Sequence, residues 1–350
     1  RLQDKFGPKI VIIVGSICFG LGVFATSFTI DMGPAPTWLT FGVIGGFAVG
    51  CTYNSAIPCI QKWFPDKINV CSGIIVCCFG LATVVFTPVA QMLIDAYGIR
   101  DTFRILGVVF AVVCLVASIF IKNPDAGWLP EGYVPATSKS NIAQVQVPFS
   151  KAIKTRQLWI IMLTLWFITA GYFCINPILR QLGMARGLEA DLANGIVMAC
   201  GLGLAVGRFA VPFFVNMLRG RRNTALTLAI LVCVVSVALI FAQGIAFMVL
   251  VFLLAAFAGA PGATYSPWTA ENFGLENQGA NYGFVMIGTG LSSLISFRLC
   301  NQVIAPMFGG LDATGVAVNT ALYFVVSLVF AVVSVLLLLA FKTYKENKAE

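Results

Sequence analysis

Long apolar stretches, each close to the length that crosses a hydrocarbon core of about 30 Å, alternate along this chain with short polar or Pro/Gly-containing breaks. Reading the runs between breaks predicts ten spans, at 10–30, 37–60, 69–94, 103–121, 157–179, 191–217, 224–242, 245–268, 280–303 and 317–341. The 22 Lys and Arg residues sort by side of that pattern: Arg100, Arg104, Arg180 and Arg186 fall in one set of loops, Arg208 and Arg298 fall within spans, and all others fall in the opposite set. Positive charge accumulates on the cytoplasmic side, so both ends of the chain are expected in the cytoplasm. The longest break, 122–156, opens with Asn-Pro-Asp-Ala-Gly-Trp-Leu-Pro at 123–130 and continues rich in Ser, Lys and Gln, which predicts a cytoplasmic linker. Four spans precede it and six follow, dividing the chain into 1–121, 122–156 and 157–350.

Composition narrows the class. Of 350 residues 59% are hydrophobic and only 10% charged, against about 25% charged in a soluble domain, so the bulk of the surface must face a lipid bilayer. The eleven cysteines lie almost all inside apolar runs without paired metal-ligand spacing and read as small packing residues. Histidine is absent, which removes the commonest metal ligand and neutral-pH base, so no metal, no cofactor and no enzymatic activity are expected. The net charge of +8 sits in short loops and not on one domain face, which speaks for topology and against nucleic acid.

Arg1–Lys9 reads RLQDKFGPK, an acid and a base followed by Gly in a tight turn with further basic charge, and 207–222 reads GRFAVPFFVNMLRGRR, a weaker version of the same loop. KWFPDK at 62–67 and ENFGLENQGANYG at 271–283 form a second pair, so two homologous halves are expected. These residues resemble the major facilitator superfamily, the first loop looking like its signature between helices 2 and 3. Within it, KWFPDK, the NPDAGWLPEGY linker, Gly207-Arg208 and Asn281-Tyr282-Gly283 resemble the oxalate/formate antiporter family, which is related to the monocarboxylate transporters. The resemblance implies an all-α membrane protein of the major facilitator fold, with ten of twelve helices present (3 to 12) and an N-terminal part missing. It further implies two six-helix bundles, a substrate site between them and rocking between inward- and outward-open states. Asp4, Lys5, Gly7 and Lys9, with Arg221 and Arg222 in the second half, would hold inner helix ends together in one state of the cycle. Positive-inside charge alone explains those bases equally well.

Arg208 is the most informative single residue. It lies about 20 Å from Arg222 by helical rise, near mid-depth, where a charge costs at least about 2.5 to 3.5 kcal/mol and normally faces a cavity or a partner. An always-protonated fork suits a small carboxylate; a packing reading has it cap a neighbouring helix. Arg298, near a helix end, is expected to snorkel. All fourteen Asp and Glu residues fall in loops or at helix ends, which disfavours a cation substrate and shows no proton relay in these spans. Oxalate-handling relatives pair the arginine with a lysine on helix 11, at a position that corresponds here to Thr289, and monocarboxylate transporters carry an aspartate where this chain has Leu204. Tyr53, Tyr172 and Tyr265 offer hydroxyls beside apolar faces, with packing as the alternative for each. The glycines at 42, 45, 46 and 50 and at 195, 201, 203 and 207 are expected to let helices approach closely.

The reading is therefore a plasma-membrane secondary transporter, monomeric, that moves a small carboxylate such as formate, oxalate or lactate by exchange or facilitated passage. A proton-linked monocarboxylate symporter is the alternative, and a non-transporting membrane sensor the alternative of another class.

Overall fold

The computed structural model describes residues 2–65, 67–125, 128, 146–215 and 217–342, leaving aside the side chains of 2–5, 69, 190, 191 and 194. Among the described residues, nine helices are long and apolar enough to cross a membrane: α1 Phe6–Met32, α2 Pro34–Trp63, α3 Val70–Ile119, α4 Arg156–Ala185, α5 Gly195–Phe214, α6 Arg221–Phe241, α7 Gly244–Phe273, α8 Gln278–Met307 and α9 Ala321–Leu339. The chain is a multi-pass α-helical membrane protein. At about 1.5 Å per residue α3 would run about 75 Å, more than twice a hydrocarbon core. Gly98 divides it, with φ 76 and ψ 169, and the expected spans 69–94 and 103–121 fall on either side of that break.

The chain forms two compact units. The first comprises Arg1–Ile68, Val85–Ser140 and Leu275–Ala280; the second comprises Asn69–Val84, Asn141–Gly274 and Asn281–Glu350. In the first unit, α1 packs on α2 and on the latter part of α3 through small residues. A β-carbon at Gly107 would lie 2.7 Å from the Phe24 nitrogen, and one at Gly15 would lie 3.0 Å from the Cys51 β-carbon. The turn between α1 and α2 is knit by threonines: the Thr40 hydroxyl lies 3.2 Å from that of Thr26 and 2.9 Å from that of Thr29, while Thr37 donates to the Thr29 carbonyl. Hydroxyl hydrogen bonds of this kind, to other hydroxyls and to carbonyls, tie helix ends together. An Arg100–Asp31 ion pair closes the same end.

At the other end of this unit the two motifs singled out in the sequence meet. Trp63 of KWFPDK packs edge-on against Trp128 of the linker, ring centroids 4.8 Å apart, and donates its indole N–H to the Lys122 carbonyl at 2.8 Å. The linker tryptophan is thus one half of an aromatic clasp. The remaining linker positions 126–127 and 129–145 lie outside the described residues.

The glycine expectation holds unevenly. Gly42, Gly45, Gly46 and Gly50 have nothing within 4 Å of a β-carbon position, and the same is true of Gly195. Their own β-carbon directions point into open space, although the backbone at Gly45 does approach α1, a β-carbon at Gly22 falling 3.2 Å from the Gly45 nitrogen. Gly203 and Gly207 behave as expected: β-carbons there would collide with the Phe252 and Ala256 carbonyl oxygens of α7. Gly80 and Gly201 bring the start of α3 against α5, a β-carbon at Gly80 falling 2.5 Å from the Ala205 nitrogen.

The second unit has the larger core, in which Leu158, Ile161, Leu165, Phe247, Trp268 and Phe324 are fully or almost fully enclosed. Ser236 and Ser327 share a 2.8 Å hydrogen bond between α6 and α9. Arg186, expected in an exposed outer loop, is only 8% exposed. Its guanidinium donates to the Ile240 and Ala242 carbonyls, both at 3.0 Å, and lies over the Phe247 and Phe324 rings. Those carbonyls end α6 and have no helical N–H, so the cation caps the negative end of the helix. Burial pulls the Arg186 pKa below its ordinary value, yet arginine stays charged in proteins. Arg186→Met should preserve packing volume but leave two carbonyls unpaired, lowering thermal stability by about 2 to 4 kcal/mol in a detergent unfolding assay.

Candidate functional site

Arg208 sits on α5, and the helical part of its distance to Arg222 is shorter than the sequence suggests. The helix stops at Phe214, and beyond it the Leu218 N–H bonds the Phe214 carbonyl and the Gly220 N–H bonds the Val215 carbonyl, turning the chain back. Arg208 therefore lies roughly 9 Å along the axis from that end, nearer the end than mid-depth. The surroundings are nonetheless those of span interiors. Its Nε donates to the Gly259 carbonyl at 3.2 Å, in the middle of α7, and its Nη1 donates to the Val76 carbonyl at 3.3 Å, in the first part of α3. All three segments belong to the second unit.

The Gly259 carbonyl is available because α7 is broken there. Pro261 supplies no N–H, and the Ala263 N–H, which a regular helix would direct to Gly259, bonds the Ala260 carbonyl instead at 3.0 Å. Arg208 thus occupies the acceptor that this tight turn leaves without its helical donor. Gly262 faces the same junction: a β-carbon there would sit 3.2 Å from the Val76 side chain and 3.5 Å from the Arg208 Nε. On the far side of the break the buried Tyr282 hydroxyl donates to the Gly262 carbonyl at 3.4 Å. Tyr172 of α4 and Cys77 of α3 lie within electrostatic reach of the guanidinium.

Among the described residues the ion pairs are Arg100–Asp31, Arg104–Asp101 and Arg221–Glu271, and none includes Arg208. Among the described residues its hydrogen-bond partners are neutral carbonyls, an arrangement that can exchange for a carboxylate.

The other expected residues are placed as follows. Tyr172 is half-buried and within electrostatic reach of Arg208. Tyr265, one turn past the break, is fully enclosed, edge-on to Trp268 and facing Thr164, so its hydroxyl is closed off in this conformation. Thr289 is half-buried on α8, next to Gly288, which packs on the Met162 carbonyl. Tyr53 is half-buried on α2 in the first unit.

In the loop signature Gly7 takes φ 77 and ψ 164 ahead of Pro8, a left-handed turn that glycine adopts readily. Gly220 repeats it with φ 114 and ψ 169 ahead of Arg221, so the loops matched by sequence share a backbone turn. Lys9 is exposed, and the side chains of Asp4 and Lys5 lie outside the described residues. Arg221 pairs with Glu271 at 2.5 Å, while Arg222 caps α9 through the Leu338 and Leu339 carbonyls.

Sequence reasoning passed over the Gly259–Gly262 break, Val76 and Tyr282. The signal for the break was present as Ala-Pro-Gly inside an apolar run. A backbone acceptor such as Val76 leaves no mark in a sequence.

The profile of the Major Facilitator Superfamily matches residues 1–297. The chain belongs to that superfamily. This major facilitator protein is 25% identical to the uncharacterized MFS-type transporter YhjX of Escherichia coli over 304 residues, 84% of this chain and 71% of that protein. It is 23% identical to the oxalate:formate antiporter of Oxalobacter formigenes over 189 residues, 53% of this chain, and so spans under half (43%) of that relative's length. Human monocarboxylate transporter 1 is 28% identical over 118 residues, 34% of this chain and 23% of that protein. The fold resembles FucP in its outward conformation, with TM-score 0.63 at 15% identity over 95% of this chain and 84% of FucP. It also resembles a bacterial homologue of the iron transporter ferroportin in its outward-facing state, with TM-score 0.64 at 12% identity over 97% of this chain and 86% of that one.

Proposed function

We propose that this major facilitator protein moves small organic anions, mono- or dicarboxylates such as formate, oxalate or lactate, by exchange or facilitated alternating access, with Arg208 as the anion anchor. The observation that carries the reading is a span-interior guanidinium held by the neutral Gly259 and Val76 carbonyls and in no ion pair among the described residues. An anion gives that charge a stronger partner than a carbonyl does. The names of two relatives, an oxalate:formate antiporter and a monocarboxylate transporter, point to the same substrate class. Tyr172 adds a hydroxyl within electrostatic reach of the anchor, Thr289 is a further candidate in the same unit, and Tyr53 is the candidate in the first unit.

In this proposal α3 crosses twice, giving ten crossings that correspond to helices 3 to 12, in bundles at 1–121 and 157–350 joined by the 122–156 linker. The protein works as a monomer in the plasma membrane with both ends of this chain cytoplasmic. The Gly7 and Gly220 turns, with Lys9, Arg221 and Arg222 beside them, hold inner helix ends together in one state.

Counterflow of labelled oxalate and formate in proteoliposomes tests the reading. Exchange should persist after a pH gradient is collapsed. Loss of exchange on collapse would favour the proton-linked symporter, and no counterflow with any carboxylate would favour the sensor.

A further inference from the structure

We infer that the Gly259 carbonyl is an internal competitor for Arg208, so that carboxylate binding re-forms the broken helix α7 and signals occupancy to the rest of the second unit. The inference rests on the reading of Arg208 as the anion anchor. Gly259 has two possible donors and at present uses one, the Arg208 Nε at 3.2 Å. The other is the Ala263 N–H, now bonded one residue away at Ala260. A carboxylate that takes the guanidinium in a two-point grip removes the first donor. An acceptor left bare in a span is costly, and Ala263 restores it by shifting its N–H from Ala260 to Gly259, converting a tight turn into a regular α-helical one. Pro261 keeps the two arrangements close in energy, since its missing N–H weakens the helix at this point.

The shift reaches beyond the break. Tyr282 holds the Gly262 carbonyl from α8, and the neighbouring Asn281 donates to the Val147 carbonyl at 3.1 Å, while the Val147 N–H bonds the Phe273 carbonyl at the end of α7. A change of pitch between Gly259 and Ala263 therefore acts on the segment 261–273 and, through both of its neighbours, on the C-terminal end of the linker. Arg208 reads the ligand, the break converts it into helix geometry, and Tyr282 is a positioning residue for the break.

Pro261→Ala in the full chain tests this. An N–H at position 261 can bond the Phe257 carbonyl one turn back and so favours the regular helix, in which Ala263 pairs with Gly259 and Arg208 is freed in advance. Oxalate and formate, titrated by calorimetry, should then bind roughly tenfold more tightly than to wild type, while the counterflow rate falls because binding no longer triggers the change. A substitution that only loosened packing would weaken binding. Unchanged or weaker binding in a folded Pro261→Ala protein would overturn the switch. Should that variant fail to fold, deuterium uptake over 259–266 in wild type decides the question: saturating oxalate should slow it, and unchanged uptake sinks the idea. If wild type binds neither anion, or Arg208→Gln binds both as wild type does, the anchor reading itself has failed.

Discussion

Arg208→Gln should abolish oxalate and formate counterflow while leaving the protein folded. Glutamine keeps an amide N–H₂ that can still reach the Gly259 carbonyl, so the acceptor at the helix break is not stranded; what disappears is the charge. A hydrogen bond to a charged group contributes about 1.5 to 3 kcal/mol, and a two-point carboxylate grip contains two, so affinity should fall by a hundredfold or more. Arg208→Lys is the informative companion. Lysine preserves the charge but presents a point donor on a flexible stem, and it cannot match the planar fork that now bridges Gly259 and Val76. It should retain a small fraction of exchange with weakened affinity. Thermal stabilisation by oxalate separates binding from transport: wild type should gain melting temperature with ligand, and Arg208→Gln should not. Full exchange activity in Arg208→Gln would remove the anchor from the account.

Gly207→Ala is expected to be the most damaging single methyl in the chain. The added carbon would enter the Ala256 carbonyl and also fall 2.7 Å from its carbonyl carbon. The obstacle is backbone, so no rotamer change relieves it, and α5 must back away from α7. Overpacking of this kind costs about 1 to 3 kcal/mol or more. Displacing α5 also carries Arg208, the next residue, away from Gly259, so transport should fall more than stability alone explains. Gly195→Ala on the same helix is the control, since a β-carbon there meets nothing within 4 Å. It should be neutral or slightly stabilising through helix propensity. Equal effects of the two substitutions on detergent melting temperature would refute the close-packing argument.

Several features were legible before any coordinates because they depend on local chemistry. The crossings follow from apolar runs, and the described helices reproduce the expected spans to within a few residues for most boundaries. Gly7 and Gly220 were marked by their place in repeated loops, and both adopt left-handed turns. Arg208 stood out because a charge inside an apolar run needs a reason. Other residues were misjudged because sequence does not say what a side chain meets. Arg186 looks like an ordinary loop base and proves to be an enclosed helix cap. The glycines at 42–50 look like a packing stripe but leave open space at their own β-carbon positions, whereas the similar series at 201–207 closes two helix crossings.

By itself, then, the sequence determined that this chain crosses a bilayer repeatedly, which family it resembles, and which charge inside an apolar run stands out, because hydropathy, turn glycines and an isolated arginine are properties of short stretches. Only the tertiary structure decided what that arginine holds. Its partners are main-chain carbonyls some fifty and more than a hundred residues away, and carbonyls are alike in every residue. Which of them lacks a helical donor depends on where a proline interrupts one helix and on which other helix packs against that interruption.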